Sequence, residues 1–238
     1  MPIYVVGTGD PFPDPREAEE DGLLALTRTM TPELVVEAYA AGIFPWWEED
    51  GWYLWFSPDP RMVLLPEELH VGRRLGRTLR RGPFEVRLDT AFESVMEECA
   101  SVPRPGQDGT WIGPEFVRAY TALHERGIAH SAEAWHEDRL VGGVYGLALG
   151  SAFFGESMFS RETDASKVAL ASLVRLLLAW GYRFVDCQAH TGHLETFGAR
   201  EWPRESYLRA LGEALREPGR PGSWRLESRG GLDSPVNP

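Results

Sequence analysis

Between Ala129 and Gln188 the chain carries a succession of patterns that few folds accommodate. Two alternating segments, 129–136 and 139–149, meet at Glu137-Asp138 and read as a β-hairpin. Residues 152–159 supply a third strand, Asp164 caps a helix running to Trp180 with Gly181 as its stop, and Tyr182 to Gln188 reads as a buried strand. Glu156 and Asp186 both fall where the pattern is otherwise that of buried strand. Removing a carboxylate from water is costly unless it is paired or used. This stretch is therefore where chemistry is expected.

The rest of the chain supports an α+β class. Thr31-Pro32 opens a helix that Gly42 closes. Residues 10–22 read as an exposed loop. Phe44 to Phe56 reads as irregular and crowded with aromatics. Ser57-Pro58-Asp59-Pro60-Arg61 is a rigid turn, because two prolines forbid regular structure there, and a short strand over 62–65 follows. A basic helix is expected within 66–81, a strand over 84–89, and helices over 91–100 and 114–126, the latter closed by Gly127. Short helices are expected near 191–197 and 204–215, with a loosely ordered tail beyond Glu217. The expected division is a small N-terminal domain, 1–65, and a larger mixed domain, 66–238.

Composition narrows the function classes. The 238 residues are long enough to bury a real core. A net charge of −12 argues against generic nucleic-acid binding, though not against a local basic patch. No apolar run reaches the roughly 18 residues a membrane span needs. Residues 1–10 lack a basic and apolar leader pattern. Two cysteines, Cys99 and Cys187, are too few for a disulfide framework. A cytoplasmic protein without a membrane partner is expected.

Several groups stand out as chemistry. Asp186 and Gln188 lie two apart on a strand, so they share a face, with Cys187 on the other. They form an acid–amide pair suited to orienting or deprotonating an amine, against which stands the more common reading of a helix cap or a buried hydrogen-bond bridge. Glu156 suits a cationic amine, or a salt bridge to an arginine. Seven aromatics between Phe44 and Phe56 form either a core or a stacking platform. Core is the reading for most of them, with Trp46 the first choice for a ligand contact and Trp111 a similar candidate. Arg73, Arg74, Arg77, Arg80 and Arg81 crowd one short segment without an acid. On a helix Arg73, Arg77, Arg80 and Arg81 share a face, which suits a phosphate backbone. Cys187, His190 and His193 lack a fourth ligand, so no metal is expected. A dinucleotide fingerprint and a P-loop are absent.

Nine segments in order resemble the leucyl/phenylalanyl-tRNA–protein transferases of bacteria. They include Gly42-Ile43-Phe44-Pro45-Trp46, Trp55-Phe56-Ser57-Pro58-Asp59-Pro60-Arg61, Gly109-Thr110-Trp111-Ile112, Gly155 to Ser160, Ala165-Ser166-Lys167 and Asp186-Cys187-Gln188. The resemblance implies a C-terminal domain with an acetyltransferase-like (GNAT) fold and a mixed sheet flanked by helices. It implies transfer of Leu or Phe, and also Met, from aminoacyl-tRNA to an N-terminal Arg or Lys, marking the acceptor for degradation. It implies Asp186 and Gln188 as catalytic, Glu156 and Trp111 as substrate contacts, Trp46 near the tRNA 3′ adenosine, and Arg73 to Arg81 against the tRNA. No cofactor and no DNA partner are implied, and a monomer is expected. Trp55-Phe56, Thr27-Arg28 and His193-Leu194-Glu195-Thr196-Phe197 depart from the usual pattern.

Turning an ester into an amide needs no strong base, because an N-terminal amine of pKa about 7.7–8.0 is partly neutral at pH 7. The expectation is that Asp186, with Gln188, orients the amine and accepts its proton, while Val144, Phe153 and Met158 form an apolar pocket for the transferred side chain. The rival classes are an acyl-CoA acyltransferase, against which the missing pyrophosphate-binding motif counts, and a non-catalytic binder of basic N-termini.

Overall fold

The computed structural model describes residues 3–102 and 112–225, so Trp111 lies outside the described residues. In chain order the elements are β1 (Tyr4–Val5), β2 (Leu23–Thr27), α1 (Pro32–Ala40), β3 (Phe44–Glu49), β4 (Trp52–Phe56), β5 (Arg61–Leu64), α2 (Arg73–Arg81), β6 (Glu85–Leu88), α3 (Phe92–Ser101), α4 (Pro114–Glu125), β7 (Ala129–His136), β8 (Arg139–Leu149), β9 (Ala152–Ser160), α5 (Ala165–Ala179), β10 (Phe184–Gln188), α6 (Gly192–Glu195), β11 (Arg200–Trp202) and α7 (Arg204–Ala214).

The strands form two sheets. One has the order β1-β2-β4-β3, the other β11-β5-β10-β9-β8-β7-β6. In the larger sheet β9 and β10 are parallel and the other pairs antiparallel, so the sheet is mixed, as expected. The parallel pair needs a crossover, and α5 provides it. Residues of α5 pack with Val144 and Phe153 on one face of this sheet. Residues of α3 and α4 pack with Tyr145 and Phe154 on the other.

Local signals explain much of this. Thr31 caps α1 by accepting the Leu34 N–H at 3.2 Å. Glu137 and Asp138 take φ of 49° and 59°, the left-handed values a two-residue hairpin loop requires. Phe44 to Phe56 is not irregular, contrary to expectation. It is the β3–β4 hairpin, paired from Phe44↔Phe56 to Glu49↔Trp52. Asp50 and Gly51 close it, again with positive φ. The Asp-Gly step was the available signal. Aromatics on both faces masked the alternation.

β5 at Arg61–Leu64 lies within the larger sheet, between β11 and β10. The chain therefore passes between sheets over residues 57–60. One apolar cluster joins Leu24 and Trp55 of the small sheet to Phe116, Tyr145 and Tyr207, so both sheets share a core. Each large side chain closed into it contributes about 1.5–3 kcal/mol.

Two local expectations need correction. Asp164 precedes α5 with φ of 69° and its side chain does not cap the helix. Its carboxylate instead meets Arg74 at 3.5 Å and Lys167 at 3.4 Å. The tail beyond Glu217 is held as far as Trp224, which is 2% exposed. The Trp224 ring stacks on His130 at 3.6 Å, and the Trp224 backbone N–H donates to Asp89 Oδ2 at 2.8 Å.

Candidate active site

Two β-bulges at the junction of β9 and β10 shape the site. On β8 and β9, Gly146 pairs with Gly155 and Tyr145 with Ser157, which leaves Glu156 without a cross-strand partner. On β10 and β5, Asp186 pairs with Val63 and Gln188 with Met62, which leaves Cys187 unpaired. Gln188 itself takes φ of 62°. The β9–β10 ladder stops at Asp186↔Phe154. Beyond it side chains bridge the strands. Bulges re-aim side chains in this way next to functional sites. Gly146 is required at this point, since a Cβ there would stand 2.0 Å from the Phe154 carbonyl oxygen.

Asp186 is 0% exposed and is held by Arg61, itself 1% exposed. Arg61 Nε donates to Oδ1 at 2.8 Å and the guanidinium Nη2 to Oδ2 at 2.7 Å, a bidentate pair. The Tyr207 hydroxyl donates to Oδ2 at 2.8 Å, and the Gln188 backbone N–H donates to Oδ1 at 2.8 Å. The guanidinium lies over the rings of Phe44 and Tyr207, at 4.5 and 4.6 Å. Both oxygens are occupied by these donors, and through the N–H contact Asp186 fixes the backbone of Gln188. Arg61 and Tyr207 were missed as its partners because they lie 125 and 21 residues away in the chain.

Glu156 is only partly buried. Its Oε1 accepts from the Tyr39 hydroxyl and, at 2.8 Å, from Gln188 Nε2. Its Oε2 accepts from the Tyr120 hydroxyl at 3.2 Å. Removal from water raises the carboxyl, the phenol hydrogen bonds pull it back, and the charge of Asp186 raises it again, leaving a pKa of about 7. A carboxyl poised there matches the demand on a general base near neutral pH. The sequence marked Glu156 and Gln188. It gave no signal that Tyr39 on α1 and Tyr120 on α4 were anything but core.

The other candidates fall into three places. Trp46 lies on edge strand β3, partly exposed, 5.8 Å from the Phe44 ring that packs on Arg61. Phe44, Tyr53, Trp55 and Phe56 are core. Val144 and Met158 are cross-strand partners and, with Phe153, join the apolar cluster beneath α5. Val144 is 4% and Phe153 1% exposed, so no open pocket stands there, and only Met158 keeps some exposure. Arg73, Arg74, Arg77, Arg80 and Arg81 are all exposed on α2. They do not share one groove: Arg73, Arg77 and Arg80 line one side of the helix, and Arg74, Arg77 and Arg81 the other. Among the described residues no group of three or more His, Cys, Asp or Glu side chains is placed to hold a metal. Burial raises the Cys187 thiol well above the usual range, and His190 pairs with Glu195 at 3.0 Å.

Known proteins share this arrangement of sequence. A model of the leucyl/phenylalanyl-tRNA protein transferase family matches residues 63–212, and one of that family's N-terminal domain matches residues 28–59. The leucyl/phenylalanyl-tRNA–protein transferase of Myxococcus xanthus (strain DK1622) is 53% identical over 226 residues, 94% of this chain and 97% of that one. Its counterpart in Nitratidesulfovibrio vulgaris (strain DP4) is 59% identical over 215 residues, 90% of this chain and 92% of that one. A solved GCN5-related N-acetyltransferase from Kribbella flavida superposes with a TM-score of 0.38 at 10% identity, over 74% of this chain and 63% of that one. So loose a likeness carries no argument. The sequence matches define an enzyme of the aminoacyltransferase class. The chain belongs to the leucyl/phenylalanyl-tRNA–protein transferase family. Among its described residues no helix is long and apolar enough to cross a membrane.

Proposed function

We propose that this enzyme moves Leu or Phe, and also Met, from aminoacyl-tRNA to the α-amine of an N-terminal Arg or Lys, so marking the acceptor protein for degradation. The observation that carries the site assignment is the Glu156 carboxyl of pKa about 7, held by Gln188 where the β9–β10 ladder ends.

The acceptor amine attacks the acyl carbon of the aminoacyl ester. A C–N bond forms, the C–O bond to the terminal ribose breaks, and the amine proton passes by way of Glu156 to the departing hydroxyl. The step is redox-neutral and needs no covalent enzyme intermediate. Gln188 orients the reacting groups beside Glu156, and Asp186 holds Gln188 in its left-handed backbone conformation through the N–H contact. The negative charge of Glu156 favours a cationic acceptor. Trp46 lies against the terminal adenosine, and Trp111 joins the substrate contacts. The transferred side chain lies against Met158, the partly exposed member of the Val144, Phe153 and Met158 cluster. The α2 arginines take the tRNA backbone, where each neutralised phosphate releases counterions.

The direct test is incubation with charged leucyl-tRNA and an Arg-initiated peptide, read by mass. A gain of one leucyl residue on the peptide α-amine supports the assignment. An unmodified peptide, with the ester intact, removes it.

A further inference from the structure

Two grooves flank α2, and they differ in charge. One, of about 720 Å³, is lined by Arg74, Arg77, Arg81 and Arg161, but also by Glu162 and Asp164. There Asp164 meets Arg74 at 3.5 Å and Arg161 pairs with Glu98 at 2.6 Å, so much of the positive charge is already answered. The other, of about 460 Å³, is lined by Arg73, Arg77, Arg80 and, from α5, Arg175, with Val71, Gly72 and Gly76. No acid lines it. Among the described residues none of these four arginines has a carboxylate within salt-bridge distance.

This arrangement is unfavourable by itself. Four like charges share one concavity in a chain of net charge −12. α2 also begins with Arg73 and Arg74 and no acid in its first turn, against the sense of its dipole. Gly76 disfavours the helix relative to alanine, and it leaves the groove wall free of a side chain. Arg175 shares a fifteen-residue apolar helix with one other charge, Lys167. A polyanion that fits between the helices resolves the charge imbalance.

We propose that Arg175 on α5 completes a four-arginine seat, with Arg73, Arg77 and Arg80, for a backbone phosphodiester of the tRNA. The inference rests on the proposed use of aminoacyl-tRNA and adds a contact from a second helix. Two helices gripping one phosphate fix the direction in which the strand crosses the protein, which a single basic helix does not.

The test measures binding of labelled leucyl-tRNA to the full chain over a salt series, for wild type, Arg175→Gln, Arg77→Gln and an exposed control, Arg209→Gln. Arg175→Gln is expected to weaken binding about three- to tenfold and to lower the log–log salt slope by about one. In transfer assays it raises KM for leucyl-tRNA and leaves kcat unchanged. The control changes neither. If Arg175→Gln matches the control while Arg77→Gln loses affinity, the seat is wrong and the tRNA reading stands. If wild type binds no tRNA, the reading itself falls and the seat with it. If Arg175→Gln abolishes binding of inorganic phosphate but leaves tRNA affinity and salt slope at wild-type values, the groove holds free phosphate and the proposal is overturned.

Discussion

Asp186 on β10 and Glu156 on β9 stand beside the same bulged junction, yet their surroundings differ completely. Asp186 is closed off by an arginine fork, a tyrosine and a backbone N–H. Glu156 has neutral donors only, Tyr39, Tyr120 and Gln188, and keeps contact with solvent. A full counter-charge, supplied by Arg61, locks the first carboxylate in place, where it organises backbone. Partial desolvation without a counter-charge leaves the second with a proton to exchange near neutral pH. On the proposed mechanism, the comparison separates positioning from proton transfer within one pair of strands.

The largest expected effect tests the open carboxylate. Glu156→Gln keeps shape and hydrogen-bonding capacity but removes the proton acceptor, so kcat for transfer should fall about 10²- to 10⁴-fold. In the wild type, activity rises with pH as Glu156 ionises near 7 and again as the acceptor amine deprotonates near 7.7–8.0. The variant keeps only the amine limb. A variant with wild-type kcat and both limbs would assign the base elsewhere.

The sealed pair should respond in stability. Asp186→Ala or Arg61→Ala leaves one buried charge without a partner and should cost about 3–5 kcal/mol, read by urea denaturation. Arg61→Met combined with Asp186→Leu removes both charges and should recover most of that loss. Transfer stays low in the double variant because the Gln188 N–H has lost its anchor. Recovery of kcat along with stability would show that Asp186 contributes nothing to placing Gln188.

The same contrast explains what the sequence made legible. Strand alternation exposed β7, β8 and β9, and polar residues inside apolar runs exposed Glu156, Asp186 and Gln188. The site's environment was hidden, because it comes from contacts across long stretches of chain. Glu156 meets Tyr39 from 117 residues away and Tyr120 from 36. A buried tyrosine that donates to a carboxylate has the same sequence signature as one that only fills space. The bulges left no clear mark either, since Gly146 and Gly155 read as ordinary small residues in strands. Trp224 sits in a Pro/Gly-rich stretch whose composition says loop, and its stacking on His130 is a tertiary fact.

Stability against pH sharpens the comparison further. The folded pKa of Glu156 lies above the value of 4.5 for a free carboxyl. Its contribution to folding is therefore fully present below about 4.5 and is lost as pH rises through about 7. A difference of this size is worth roughly 3 kcal/mol. Wild type should lose that much relative to Glu156→Gln between pH 4.5 and 8, in chemical denaturation at fixed ionic strength. Parallel stability curves would mean that Glu156 ionises as freely in the folded chain as in the unfolded one.

The smallest effect separates a hydrogen-bond donor from a space-filling ring. Tyr120→Phe keeps the packing against Phe116 and Tyr145 and removes one donor from the ionised Glu156. Such a bond contributes about 0.5–1.5 kcal/mol, so the acid limb of the kcat profile should move up by roughly 0.4 to 1 pH unit. Transfer at pH 7 falls only a few-fold, and the high-pH plateau is unchanged because the carboxylate is fully formed there. Tyr207→Phe, which strips a donor from Asp186 and none from Glu156, should leave the limb in place. If both variants moved the limb alike, the separation of the two carboxylates' roles would be lost.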